Sequence, residues 1–219
     1  MVTSRRVSGK PVPDPRLQFK PETPGLTQFP REFFRQDTVE VARAIIGAWF
    51  VRKYRGRWYG ARIVETEAYL GAMDAAAHTW RGRRTPRVEP MYQDGGHLYV
   101  FLVYGMHCCA NIVTGPEGIG EAVLLRAAEL PEGATSKLLS GPGKLCAGLG
   151  ISVAASGADL LEESDLRLFR ANRGAIPIGV SGRIGVDYAG DAAGWPLRFF
   201  DKNSPAVSGH RNLRLTMDD

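Results

Sequence analysis

The stretch Trp49-Phe-Val-Arg-Lys-Tyr54, Arg55-Gly56, Arg57-Trp-Tyr-Gly-Ala-Arg-Ile-Val-Glu-Thr-Glu-Ala-Tyr69 sets the architecture of this chain. Two runs rich in aromatic and β-branched residues flank Arg55-Gly56, a pair that reads as a hairpin turn. Strand spacing puts Glu65, Glu67 and Tyr69 on one face of the second run. Carboxylates among Ile, Val and Ala are costly to bury unless paired or used. For Glu65 alone a solvent face is the simpler expectation. Glu67, two residues from an aromatic, suggests a pocket with one acid/base group and one stacking surface.

Around this hairpin the other elements fall into place. Asp37 with Glu40 three residues on signals a helix start, and the apolar spacing predicts a helix over 38–47. Strands are expected at 97–104, 107–114, 121–128, 166–170, 183–188 and 197–201. A short helix is expected at 142–149, with Pro142 in its first turn and Gly150 past its end. Residues 70–96 are a long loop rich in Gly, Arg and Pro, and loops of that length usually carry function. Strands joined by short turns argue for an α+β domain with a mostly antiparallel sheet, not a doubly wound parallel one. Residues 1–30 hold six of the fourteen prolines, lack hydrophobic periodicity and carry +3 of the net +5 charge. They read as a mobile basic arm ahead of one domain over 31–219.

The 219 residues, 44% hydrophobic, suffice for one real core. The apolar runs at 44–51 and 98–106 are far too short to span a membrane. Residues 1–10 carry Arg5, Arg6 and Lys10 with no apolar stretch after them, so no export signal is expected. Three cysteines, two of them adjacent, do not form a disulfide framework and place the protein in a reducing cytoplasm. Phosphate-cradling glycine motifs are absent, so no nucleotide cofactor is expected. His107, Cys108, Cys109 and Cys146 make a poor zinc set, because successive strand residues face opposite ways. Two basic clusters could hold phosphates: Arg52, Lys53, Arg55, Arg57 and Arg62, and Arg81, Arg83, Arg84 and Arg87.

Three further features bear on function. Tyr104-Gly105-Met106 forms a hairpin tip where Asn, Asp or Ser is usual. It is either tucked against the core or an apolar wedge for stacked bases. His78 follows Asp74-Ala-Ala-Ala, a plausible single helical turn. Asn111 and Arg126 are polar residues in apolar strands and need partners, and Glu67 would suit Arg126.

Together these segments resemble the alkyladenine (3-methyladenine) DNA glycosylases of the vertebrate and bacterial alkyl-purine type. The resemblance runs from about Phe33 to about Ser208. It is carried by residues 32–43, 62–71, 98–106, Asn111-Ile112, Leu124-Leu-Arg126, Gly141-Pro-Gly-Lys-Leu-Cys146 and Arg183-Ile-Gly-Val186, in that order. It implies a single α+β domain with a curved sheet and a projecting β-hairpin, working without metal or cofactor as a monomer on double-stranded DNA with damaged purines. In a prokaryote such a protein would associate with the nucleoid. By the resemblance, Glu67 is the catalytic base, with Arg126 beside it and the water. Tyr69, His78 and Phe101 wall the flipped base, Asn111 crowds the purine, and Tyr104, with Met106 beside it, intercalates. The function implied is monofunctional base-excision repair, in which a damaged purine is flipped out and its N-glycosidic bond hydrolysed. Three departures stand out: Phe101 where tyrosine is usual, His107-Cys108 for a more aromatic pair, and a short connection at 129–140. Two other readings stay open, an O-glycoside hydrolase using Glu65 and Glu67, and a non-catalytic binder of damaged or bent DNA.

Overall fold

In the computed structural model the long strand β4 (Arg57–Tyr69) is the axis on which everything else is hung. The structure describes residues 11–20, 25–131, 137–162, 164–172 and 174–209. β3 (Trp49–Tyr54) pairs antiparallel with the first half of β4 through a turn in which Arg55 and Gly56 both have positive φ, the twist a two-residue hairpin requires. β10 (Arg198–Asp201) takes over the same edge further on, facing Glu65, Thr66 and Glu67. On the other edge β7 (Glu121–Glu129) pairs with Arg62 through Tyr69. Beyond β7 lie β6 (His107–Thr114) and β5 (Leu98–Val103), which form the expected hairpin. β8 (Leu166–Ala171) lies outside β3, and β9 (Ile178–Ser181) pairs with β10. The result is one ten-stranded, curled antiparallel sheet.

Short helices cover one face of it. The Asp37 carboxylate accepts hydrogen bonds from the Val39 and Glu40 N–H groups and starts α2 (Thr38–Ala44), where a helix was expected. α2 ends three residues earlier than the apolar spacing suggests, before Gly47 at φ 90°. Val41, Ala42 and Ile45 bury themselves against the sheet, and the Thr66 hydroxyl donates to the Ala42 carbonyl. α1 (Arg31–Phe34) and α3 (Pro142–Gly148) complete the cover, with Leu145 and Cys146 in the core.

Two expectations need correction. The segment before residue 31 is not an arm throughout, because its described parts pack into the domain. Leu17 is fully buried in the main core, β1 (Gln18–Phe19) pairs with β4, and β2 (Leu26–Gln28) pairs with β8. Gly60 makes room for this, since a Cβ there would lie 2.9 Å from the Phe19 ring. Apolar anchors spaced too irregularly for any period do the docking. Residues 1–10 and 21–24 lie outside the described residues. Second, residues 183–188 are not a strand. They form an irregular run leading into 3₁₀ turns over Asp187–Gly194. The buried Arg183 guanidinium instead spans the Asp74 carboxylate and the Ala68 and Ala192 carbonyls. The long loop at 70–96 is built on three 3₁₀ turns, at Gly71–Met73, Trp80–Gly82 and Glu89–Tyr92.

Candidate active site

Residues directly opposite each other in an antiparallel sheet share a face. The pairings Arg198↔Glu67, Glu67↔Leu124, Leu124↔Asn111 and Asn111↔Tyr99 therefore run one row of side chains across four adjacent pairs. Two residues along the strands, Tyr69, Cys109 and Phe101 extend the same face. The Leu124, Asn111 and Tyr99 part of this row floors a cavity of about 660 Å³ lined also by Tyr69, His78, Phe101 and Arg126, with His107 and residues 140–144 and 184–186 around it. That volume lies within the roughly 300–1,000 Å³ of small-molecule sites.

Glu67 sits in the row with its carboxylate fully buried. One oxygen, Oε2, accepts from the Tyr69 hydroxyl at 2.9 Å. The other accepts from the Ile184 N–H at 2.9 Å and lies 3.4 Å from Arg126 Nη1. These three partners all line the cavity. Burial pushes the Glu67 carboxyl above its ordinary range, while Arg126, the Ile184 N–H and Tyr69 pull against that push. Tyr69 in turn is held well above its usual value by burial and by the Glu67 charge, and the Arg183 guanidinium sits 4.7 Å over its ring.

Arg126 lies two residues from Leu124 on β7, so strand alternation puts it on the Glu67 face, at a β-bulge. Across β4 and β7 the register passes from Glu65↔Ala127 to Thr66↔Leu125, which leaves Arg126 without an opposite residue. Bulges are over-represented beside active sites. The guanidinium then touches both carboxylates, with Nε 3.3 Å from Glu65 Oε1, and Nε also donates to the Ser208 hydroxyl at 3.1 Å.

The wall opposite the acid is aromatic. The His78 ring meets Phe101 edge-on at 4.4 Å, and Phe101 stacks on Tyr99 at 5.4 Å. His78 Nδ1 is 2.8 Å from the Tyr99 hydroxyl. Burial, with Arg87 and Arg83 nearby, holds His78 down to about 4, so the ring is neutral at pH 7. Burial raises Tyr99 to about 12. Asn111 is buried and donates from Nδ2 to the Tyr99 carbonyl.

The hairpin tip is not tucked in. Tyr104 is 88% exposed and Met106 73%, and Tyr104 lines the cavity as well. Tyr104 has φ 51°, a left-handed conformation uncommon for a bulky residue and frequent at functional sites. Thus Glu67, Tyr69, His78, Phe101, Asn111 and Arg126 are brought together, with Tyr104 beside them. Met106 projects from the same tip but does not line the cavity.

Two expectations fail here. Glu65 is not on a solvent face: it is fully buried, and its oxygens accept from Arg198 Nε at 2.6 Å and from the Ser208 N–H at 2.7 Å. The first basic cluster is also not one surface. Arg52 is buried and donates to the Pro11, Leu149 and Gly150 carbonyls, and Arg62 pairs with Glu129 and Asp201. In the second cluster Arg84 pairs with Glu89, and Arg87 donates to the Leu102 carbonyl beneath the hairpin. Arg183, Arg198, Ser208 and the Ile184 N–H were not foreseen as site elements. Among the described residues no three His, Cys, Asp or Glu side chains gather to hold a metal, and no helix is long and apolar enough to cross a membrane. The thiols are free, and burial raises Cys109 to about 11.

A family model described as "Methylpurine-DNA glycosylase (MPG)" matches residues 32–205. Curated relatives agree. A protein of Desulfitobacterium hafniense is 43% identical over 197 residues, covering 81% of this chain and 97% of its own. One of Methanocella arvoryzae is 42% identical over 82% of this chain and 94% of its own. One of Bdellovibrio bacteriovorus is 44% identical over 82% and 97%. All three bear the name "Putative 3-methyladenine DNA glycosylase". With the match spanning every strand that lines the cavity, the chain belongs to the methylpurine-DNA glycosylase family.

Proposed function

We propose that the protein excises alkylated and deaminated purines from duplex DNA by hydrolysing the bond between base and sugar. The observation that carries this reading is the buried Glu67 carboxylate beside an aromatic cavity whose rim bears the exposed Tyr104. Chemistry on a stacked base requires taking it out of the helix, at a cost of a few kcal/mol. Tyr104 fills the vacated space and Met106 lies beside it. Tyr69, His78 and Phe101 supply flat surfaces for the purine, and Asn111 crowds its edge. The exposed arginines of residues 81–87 hold phosphates and confer no sequence preference.

In the chemical step a water that reaches Glu67 between Tyr69 and Arg126 attacks C1′ of the sugar. Glu67 accepts its proton, and the N-glycosidic electron pair leaves with the base. A cationic alkylpurine departs readily, whereas a neutral purine needs a proton at the departing nitrogen. Attack by water, with no covalent enzyme intermediate, makes the enzyme monofunctional. The same reading places it on DNA as a monomer in the cytoplasm, near the nucleoid.

A two-carboxylate glycosidase fits less well. Glu65 is saturated by Arg198 and Ser208, neither of which lines the cavity. The test is a duplex carrying one hypoxanthine or ethenoadenine, treated with protein and then alkali. Strand cleavage at the lesion supports the reading. A mobility shift without cleavage makes the protein a binder, and the absence of both leaves the O-glycoside reading standing.

A further inference from the structure

One end of the row across the sheet is a cluster of buried charges. Glu65 and Glu67 project from β4 toward the same guanidinium, Arg126, which lies 3.3 Å from one carboxylate and 3.4 Å from the other. One cation shared by two buried carboxylates leaves a negative charge over, and such a charge is costly in a dry interior. Arg198 supplies the balance. It is fully buried, sits opposite Glu67 in β10, and binds Glu65 through Nε at 2.6 Å. Its other nitrogens are fixed by the Ser181 hydroxyl and the Ser208 carbonyl, both at 2.9 Å. Ser208 closes the loop, since its N–H binds Glu65 and its hydroxyl accepts from Arg126 Nε.

We propose that Glu65, Arg198 and Ser208 are positioning residues, which clamp the Nε edge of Arg126 so that its Nη1 is presented to Glu67. The inference rests on the excision reading above for its kinetic arm only. In this arrangement Arg198 neutralises Glu65, which keeps Arg126 from being drawn wholly to that side. Ser208 gives Arg126 a neutral anchor.

The clamp also sets the charge around Glu67. The groups facing Glu67 are Glu65, Tyr69 and Arg183, Arg126 on β7, Cys109 on β6, Arg198 on β10, and Tyr188. Among the described residues, Glu65 is the carboxylate that acts on Glu67, and it opposes the ionisation of Glu67. Removing its charge while keeping its shape makes Glu67 ionise at lower pH.

The experiment measures single-turnover excision of hypoxanthine from pH 5 to 9 for the wild type, Glu65→Gln, Ser208→Ala and Arg198→Lys. It is run beside a ¹³C carboxyl titration of Glu67, assigned by the signal lost in Glu67→Gln. For Glu65→Gln we expect the acid limb and the ¹³C midpoint to move down together by about one pH unit, the scale of one screened charge at this spacing. For Ser208→Ala the plateau rate should fall by up to roughly tenfold, one hydrogen bond's worth, with duplex affinity unchanged. Arg198→Lys keeps the charge but loses the fork, so its plateau falls while its limb stays near the wild-type position. A limb and a midpoint that stay put in Glu65→Gln overturn the inference. If the Glu65 or Arg198 variants do not fold, Ser208→Ala decides, and an unchanged plateau overturns the clamp. A wild type that excises nothing defeats the excision reading alone, because the ¹³C midpoint still reports on the clamp.

Discussion

Tyr104 offers a test in which stability and function are expected to move in opposite directions. Its ring is almost wholly exposed and its backbone is left-handed. Replacement by glycine relieves about 1–2 kcal/mol of steric cost for an L-residue in this conformation. It gives back about 0.5–1 kcal/mol through the extra freedom of glycine in the unfolded chain. The net is between zero and about 1.5 kcal/mol of added stability. For a domain of this size that is a Tm change of roughly 0 to +6 °C. Tyr104→Ala keeps the steric cost and loses no buried surface, so it should stay within about 0.5 kcal/mol of the wild type. On the proposed reading both variants lose the ring that stacks in place of the base, an interaction of ~1–3 kcal/mol. Excision of a well-paired lesion should therefore slow by roughly 5- to 150-fold, and a lesion opposite a gap should be affected least. Calorimetry and single-turnover excision on the two duplexes provide the readout. A lower Tm for Tyr104→Gly would mean that the tip packs against the domain. An equal kinetic loss on paired and gapped lesions would mean that Tyr104 does not act as a wedge.

Phe101→Tyr restores a hydroxyl to the stacking wall, and should raise hypoxanthine excision relative to 7-methylguanine release by up to roughly tenfold; an unmoved ratio of single-turnover rates would show that this hydroxyl does not set base range. His78 is held at about 4 in the fold against 6.5 unperturbed. The stability it contributes is thus full above pH 6.5 and lost as pH falls from there toward 4; His78→Gln should flatten the Tm–pH curve over that interval, as measured by thermal unfolding. Leu17→Ala removes a fully buried side chain from the main core. It should cost about 2–5 kcal/mol in urea unfolding, whereas a mobile arm would lose nothing. Burial raises Glu67, so its ionised form costs stability that is absent at low pH and grows as pH rises through the raised value. Glu67→Gln should match or exceed the wild-type Tm at pH 8 and approach it in acid.

What the sequence discloses of this site follows from strand alternation. Period two groups Glu65, Glu67 and Tyr69, and the rule that buried polar groups need partners marks Asn111 and Arg126. Alternation does not say what covers a face. Glu65 reads as solvated until β10, more than 130 residues away, lays Arg198 over it. The bulge at Arg126 leaves no local signal, because the spare residue exists only relative to the partner strand. The run at 183–186 has strand-like residues, but Asp74 captures Arg183 and the Ile184 N–H turns to Glu67. Side-chain demands override local propensity there. The N-terminal segment misleads for a related reason. Phe19 docks where Gly60 leaves room, and a small residue far along the chain is invisible to a periodicity argument.

The most direct test of the account compares wild type with Glu67→Gln on a duplex bearing a single hypoxanthine, followed by alkali and a parallel mobility-shift titration. The account predicts abasic sites with the wild type. For Glu67→Gln it predicts retained duplex binding with excision slowed by at least ~10²-fold, the usual scale of a lost general base. A wild type that leaves the lesion in place, or a Glu67→Gln protein that excises within tenfold of it, would contradict the central claim.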